Sequence, residues 1–208
     1  MFLKKPMDIE QKSFEIIEEE FGKHNFSQKE WQVVRRVIHT TADFDYANRI
    51  CFLNNSINKG LEALKSPKKI YCDTQMAMAG INKKALKFLG HEVMTLVGSE
   101  EVFKKAKETQ DTRSKIAMEM AINDKNCSIF VIGNAPTALL SLYEAIQKGF
   151  KPELVIGAPI GFVGAEESKE MFLDLEIPSI LIRGRKGGSS VAASIINAIM
   201  YQIPGTRD

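Results

Sequence analysis

Ile129-Phe130-Val131-Ile132, followed at once by Gly133-Asn134-Ala135-Pro136-Thr137-Ala138-Leu139, is the stretch that decides the fold. An unbroken apolar run rich in β-branched side chains suits a strand buried on both faces, and the Gly-to-Pro turn behind it opens a helix. The same order recurs along the chain. Ile70-Tyr71-Cys72, Val93-Met94-Thr95-Leu96-Val97, Leu154-Val155-Ile156 and Ile180-Leu181-Ile182 are further short apolar runs. Residues 83–89, 113–121, 137–148 and 189–201 carry helical spacing between or after them. This alternation predicts an α/β chain whose mostly parallel sheet of about five strands is flanked by helices. Sheets of that kind place their sites at the carboxyl ends of the strands.

Upstream, the pattern changes to an N-terminal helical pair. Asp8 to Phe21 reads as an amphipathic helix with Ile9, Ile16, Ile17 and Phe21 as its stripe. Ser27 and Glu30 fit a capping box that starts a second helix running to Ile38, with Trp31, Val34 and Ile38 toward the core. There is no internal repeat. Lys65-Ser66-Pro67-Lys68-Lys69 reads as a loop before a strand, so residues 1–208 are expected to form a single domain.

Composition narrows the class. The chain has 208 residues, of which 44% are hydrophobic, and Lys+Arg 28 against Asp+Glu 26 leaves a net charge of +2. So even a balance does not suit a protein that coats nucleic acid, and any anion site must come from local clusters of arginine. Cys51, Cys72 and Cys127 are scattered and odd in number, a poor disulfide framework that suits a reducing compartment. No apolar run reaches the roughly 18 residues of a membrane span. The opening Met1-Phe2-Leu3-Lys4-Lys5-Pro6 lacks the apolar core of a signal peptide. The expectation is a soluble cytoplasmic protein.

Several constellations can carry chemistry. His39 closes the second helix ahead of Thr40, Thr41, Asp43 and Asp45. Its imidazole can give and take a proton near neutrality, and either acid can fix its tautomer; a surface histidine favoured by the helix dipole has the same pattern. Arg36, three residues earlier, shares a side of the helix with His39 and suits a carboxylate or phosphate. Ser13 falls between Ile9 and Ile16, either bonded to the carbonyl four residues back or open to a ligand. Glycines gather in 133–137, in Gly157 to Gly164 and in Arg183-Gly184-Arg185-Lys186-Gly187-Gly188-Ser189-Ser190. Each is a tight turn before a helix or a cradle of backbone N–H groups for an anion. The last cluster lacks the lysine of a phosphate loop, and Pro159 interrupts the second. Arg113, in Thr112-Arg113-Ser114, offers another cation. Asp73 is expected to cap the helix that follows it. His24 and His91 have no partners at metal-ligand spacing, so no protein metal site is assigned.

Taken in order, these stretches resemble the precorrin-8X methylmutase family, including its cobalt-precorrin-8 branch. The resemblance runs from Ile9-Glu10-x-x-Ser13-Phe14-x-Ile16-Ile17 to Gly184-x-Lys186-Gly187-Gly188-Ser189. It is most specific at Arg36-Val37-Ile38-His39-Thr40-Thr41-Ala42-Asp43, Thr112-Arg113-Ser114, Gly133-Asn134-Ala135-Pro136-Thr137-Ala138-Leu139 and Pro159-Ile160-Gly161-Phe162-Val163. The resemblance implies a homodimer with active sites near the subunit interface, and migration of a methyl group from C-11 to C-12 of a corrinoid tetrapyrrole. It puts the family histidine at His39 and substrate contacts at Ser13 and Arg36. Residue chemistry extends those contacts to Thr41, Asp43, Arg113, Asn134 and the turn Gly187, Gly188 and Ser189. No cofactor is expected, although the substrate itself can carry cobalt; the segment after His39 leans toward that cobalt-containing route. Neither nucleic acid nor membrane is an expected partner. Two other readings stand beside this one: a corrinoid carrier without turnover, and a nucleotide-binding transferase using the Gly184–Ser190 turn.

Overall fold

The computed structural model describes residues 6–207; the opening stretch weighed above as a leader lies almost wholly outside them. The chain begins with helices α1 (Pro6–Phe21), α2 (Gln28–Thr41) and α3 (Tyr46–Arg49), then strand β1 (Ile50–Leu53) and helix α4 (Ser56–Ala63). The alternating part opens with β2 (Lys69–Cys72), α5 (Gln75–Gly80), α6 (Lys83–Leu89), β3 (Glu92–Met94), α7 (Glu100–Thr109) and α8 (Arg113–Asn123). It continues through β4 (Cys127–Ile132), α9 (Pro136–Gln147), β5 (Leu154–Gly157), α10 (Ala165–Glu170), β6 (Ser179–Ile182) and α11 (Ser189–Met200).

The strands form one sheet in the order β1-β6-β5-β4-β2-β3. All pairings are parallel except β1 with β6. The chain runs outward from β2 to β3, then jumps back over β2 to β4. That reversal makes a topological switch point between the carboxyl ends of β2 and β4.

Successive strand residues point to opposite faces, so each strand feeds two cores. Ile70, Cys72, Ile129, Val131, Leu154 and Ile156 pack toward α1, α2, α4, α5, α6 and α11. Tyr71, Phe130, Ile132, Val155 and Leu181 pack toward the layer of α7, α8, α9 and Phe172. Continuous apolar runs are therefore required, because neither face meets water. Helix α11 lies against α2 and α5 and is apolar on nearly every side, which is why it is buried along its length.

The capping box at Ser27 forms as its sequence predicts, with Ser27 and Glu30 each bonded to the other's backbone. Trp31, Val34 and Ile38 are buried. Three expectations need correction. The sheet has six strands, not about five: Ile50-Cys51-Phe52-Leu53 adds an antiparallel edge strand. It sits before the alternating part begins, and three of its four residues are only partly buried, so no periodicity marks it. The stripe of α1 is also displaced. Phe14 and Ile17 are buried, whereas Ile9 and Ile16 remain 47% and 43% exposed. In addition, β3 covers only Glu92–Met94, because the chain turns where Ser99 N–H bonds to the Leu96 carbonyl.

The β4–α9 turn rests directly on the start of α11. A Cβ on Gly133 would lie 2.6 Å from Ser189 Cα. Gly133→Ala is therefore expected to destabilise the fold by roughly 1–3 kcal/mol, read as a lower urea midpoint at unchanged m-value.

Candidate active site

The switch-point crevice is closed from within. Asp73, directly after β2, is fully buried and accepts N–H bonds from Gly133, Asn134 and Ala135 at 2.9, 2.8 and 2.8 Å. Burial pushes this carboxyl up, and the three N–H bonds pull it back. The expected capping role is real, but the helix is different: Thr74 caps α5 by accepting from Ala77 N–H, while Asp73 serves the N-terminus of α9 across the sheet. The anion cradle expected at 133–137 is thus filled by the protein's own carboxylate. What remains of Asn134 for a ligand is its exposed side chain.

Asp43, Asn134, Gly187, Gly188 and Ser189 lie at this carboxyl edge, whereas Arg36 reaches away from it to Tyr201, past the end of α11. The edge starts where α2 ends. Ala42, in the left-handed conformation at φ 52°, stops the helix, and its N–H bonds to the Ile38 carbonyl. His39 is exposed one turn before, with its ring 5.3 Å from that of Phe14. The hydroxyl of Thr41 is bonded back to Val37 at 2.9 Å and receives Asp43 N–H at 3.3 Å, so it braces the turn. Asp43 pairs with Lys186, and Asp45 with Lys186 and Arg49. These bonds hold both carboxyls below the usual range. Neither bonds to His39, so the expectation that one of them fixes the imidazole is corrected: both acids anchor the loop after β6 instead.

The charges that do reach His39 lie behind it. Partial burial lowers its pKa, Arg36 lowers it further, and Glu10 of α1 opposes both. Glu10 pairs with Arg36 and with Arg207. The Arg36 guanidinium also sits 4.8 Å from the Phe14 ring and 5.3 Å from that of Tyr201. Ser13 is half-buried and donates to Ile9 O at 2.8 Å, the backbone bond that was one of its two alternatives. A hollow of about 260 Å³ opens beside this group, between Arg36, Thr40, Gly80, Ser190 and Tyr201.

The remaining candidates complete the edge. Ser189 is buried and its hydroxyl meets that of Thr74 at 2.8 Å, tying α11 to the strand β2 turn. Tyr46 donates to the Gly187 carbonyl at 3.2 Å. Gly187 admits no side chain, since its Cβ would fall 2.2 Å from Ala158 O. Arg113 is exposed, with its guanidinium 4.5 Å from the Phe103 ring; its neighbour Thr112 bonds to Thr137 at 3.0 Å, which places it beside the start of α9. Tyr46 carried no sequence signal that singled it out, and Lys186 stood out only as a member of the Gly184–Ser189 stretch, without its partners. The other two histidines have structural partners: His24 stacks on Trp31, and His91 bonds to the Leu64 and Lys68 carbonyls. A separate cavity of about 510 Å³ lies at the opposite edge of the sheet, between Asn54, Lys59, Lys151, Pro152 and Pro178. No expected site residue lines it.

Arranged this way, the site offers one exposed imidazole together with the exposed side chains of Arg113 and Asn134, a set suited to proton transfer on a substrate bearing carboxylates. Residues 8–202 match the family model described as precorrin-8X methylmutase. A cobalt-precorrin-8 methylmutase of Leptospira interrogans is 48% identical over 93% of this chain and 92% of its own length. Its counterpart in Salmonella typhimurium is 40% identical over 97% and 98%. The crystal structure of a precorrin-8x methyl mutase from Thermus thermophilus superimposes with a TM-score of 0.86 at 37% identity, covering 93% of this chain and 96% of that one.

Since Glu10 raises the pKa of His39, Glu10→Gln is expected to lower it. An NMR titration of the imidazole checks this; an unchanged midpoint would mean that Glu10 does not act on the histidine.

Proposed function

This chain belongs to the precorrin-8X methylmutase family, and from that premise we propose that His39 is the proton donor and acceptor of its reaction. The protein is an isomerase of cobalamin biosynthesis that moves a methyl group on precorrin-8. The observation that carries the role of His39 is its placement: an exposed imidazole at the carboxyl edge, flanked by Arg36 and Glu10.

Migration of a methyl from C-11 to C-12 within one ring is redox-neutral, so the chemistry calls for no redox cofactor. Protonating the conjugated ring draws electrons toward the new bond; returning the proton completes the isomerisation. A group acting in this way contributes typically ~10²–10⁴-fold. With its pKa lowered, His39 rests mainly neutral at neutral pH, and its imidazolium is a correspondingly stronger acid toward a weakly basic ring. Negative substrate carboxylates beside it favour the charged form on binding. Arg36, Ser13 and Arg113 hold the carboxylate fringe. The names of the Leptospira and Salmonella relatives support the cobalt form of the substrate.

The working unit is a homodimer in the cytoplasm. Ile9 and Ile16 on α1, and Phe162 and Val163 after β5, are apolar and exposed in the single chain, which supports cover from a second subunit near the site. The free thiols of Cys51, Cys72 and Cys127 suit a reducing compartment.

The test is turnover of precorrin-8 and its cobalt form, followed by NMR of the migrating methyl. His39→Ala is expected to lower kcat by ~10²-fold or more while the ring still binds. Near-normal kcat in that variant would remove His39 from the chemistry. Ring binding without turnover by the wild type would make the protein a carrier.

A further inference from the structure

Lys169 is a buried charge that the reaction above leaves unused. It lies on α10, in a run of polar residues that reads as solvent-facing, yet it is 0% exposed. Its ammonium donates to the Pro159 carbonyl at 2.8 Å and to the Lys186 carbonyl at 3.0 Å. The first belongs to the loop after β5 and the second to the loop after β6. Two backbone bonds join the same loops: Gly188 N–H to Ala158 O at 2.8 Å, and Gly161 N–H to Arg185 O at 3.1 Å.

No carboxylate bonds to Lys169 among the described residues. Glu166 and Glu170 of its own helix favour its charge, and Arg49 before β1 opposes it. Those acids face Arg185 and Arg183, while Lys186 is turned to Asp43 and Asp45. Burial dominates and brings the ammonium down to about 8. A lysine with a lowered pKa binds fewer protons in the folded chain than in the unfolded one between about 8 and the ordinary 10.5. Its contribution to stability therefore rises with pH across that window, and below about 8 its charge is a cost to the fold. A charge kept at such a cost points to work at a site.

The geometry shows what that work is. A trans peptide holds its C=O and N–H on opposite sides, and no peptide among the described residues is cis. Drawing the Pro159 and Lys186 carbonyls inward turns the N–H groups of Ile160 and Gly187 the other way. Neither N–H has an acceptor among the described residues. Ile160 stands in an open, apolar loop, itself 49% exposed beside Phe162 and Val163 at 82% and 89%, whereas Gly187 is buried. Free N–H groups beside apolar side chains suit a flat ring fringed with carboxylates.

We propose that Lys169 is a positioning residue that turns the Ile160 N–H toward the carboxyl edge, where it and the field of the ammonium receive a substrate carboxylate, while its second bond holds the loop of Gly187 in place. The class of ligand rests on the corrinoid reading above. A direct binding titration tests it, with hydrogenobyrinate as the acid probe and the same ring carrying amides in place of its side-chain carboxylates. Lys169→Met is expected to weaken the acid about tenfold and leave the amide within about twofold. In the wild type, affinity for the acid should fall as pH rises through about 8, where Lys169 loses its charge, and the variant should lack that step. Because Lys169→Met keeps His39, any step that the imidazole contributes persists in the variant, and only the step lost there belongs to Lys169. Equal losses for acid and amide, or unchanged affinity for the acid, would overturn the role of Lys169. If Lys169→Met does not fold, the wild-type titration decides: flat affinity from pH 7 to 9.5 overturns the proposal. A wild type that binds neither ring would instead sink the corrinoid reading, and this ligand with it.

Discussion

Three backbone N–H groups meeting one buried carboxylate, that of Asp73, set the rest of the molecule in place. The reversal of strand order leaves a crevice between β2 and β4, and in many α/β folds that crevice takes the ligand. Here Asp73 spans it, so β2, the β4–α9 turn and, through the contact of Gly133 with Ser189, the start of α11 are fixed to one another. Losing the carboxylate would strand three inward N–H donors, each costing on the order of 1–3 kcal/mol if unpaired. The consequence for function is displacement: with the crevice occupied, the Ile160 N–H, which has no acceptor among the described residues, lies further along the edge in the loop after β5.

Those loops are tied on both sides. Lys169 holds them from below through two carbonyls, and Lys186 ties the second loop to Asp43 and Asp45, just past the end of the helix that carries His39. The histidine itself stays exposed and lightly held. Its environment comes from α1 and α2, through Phe14, Arg36 and Glu10, rather than from the acids that follow it in sequence. Loops tied in this way beside an exposed imidazole suit the proposed isomerisation, with positioning from the backbone and proton transfer from one side chain.

Much of this was legible in the sequence, for physical reasons. Strands buried on two faces must be continuously apolar, so β2, β4, β5 and β6 announce themselves, and the capping box at Ser27 fixes the start of α2. An edge strand such as β1 is half wet and carries no such mark. The stripe of α1 misled because Ile9 and Ile16 are apolar but uncovered in the single chain. At the site, His39 and the Gly187–Ser189 turn stand out by residue type. The partners of Asp43 and Asp73 do not, since both bonds join segments far apart in sequence, 143 and about 60 residues away. Lys169 was illegible because polar neighbours on a short helix say nothing about which face a loop will cover.

The central claim is that a corrin ring binds at the carboxyl edge against His39. The most direct measurement is a crystal structure of the protein with hydrogenobyrinate bound. The ring is expected between α2 and the loops after β5 and β6, with its periphery within hydrogen-bond reach of the His39 imidazole and its carboxylates on Arg36 and the Ile160 N–H. A ring seated instead in the cavity at the opposite edge, between Asn54 and Pro178, would contradict it.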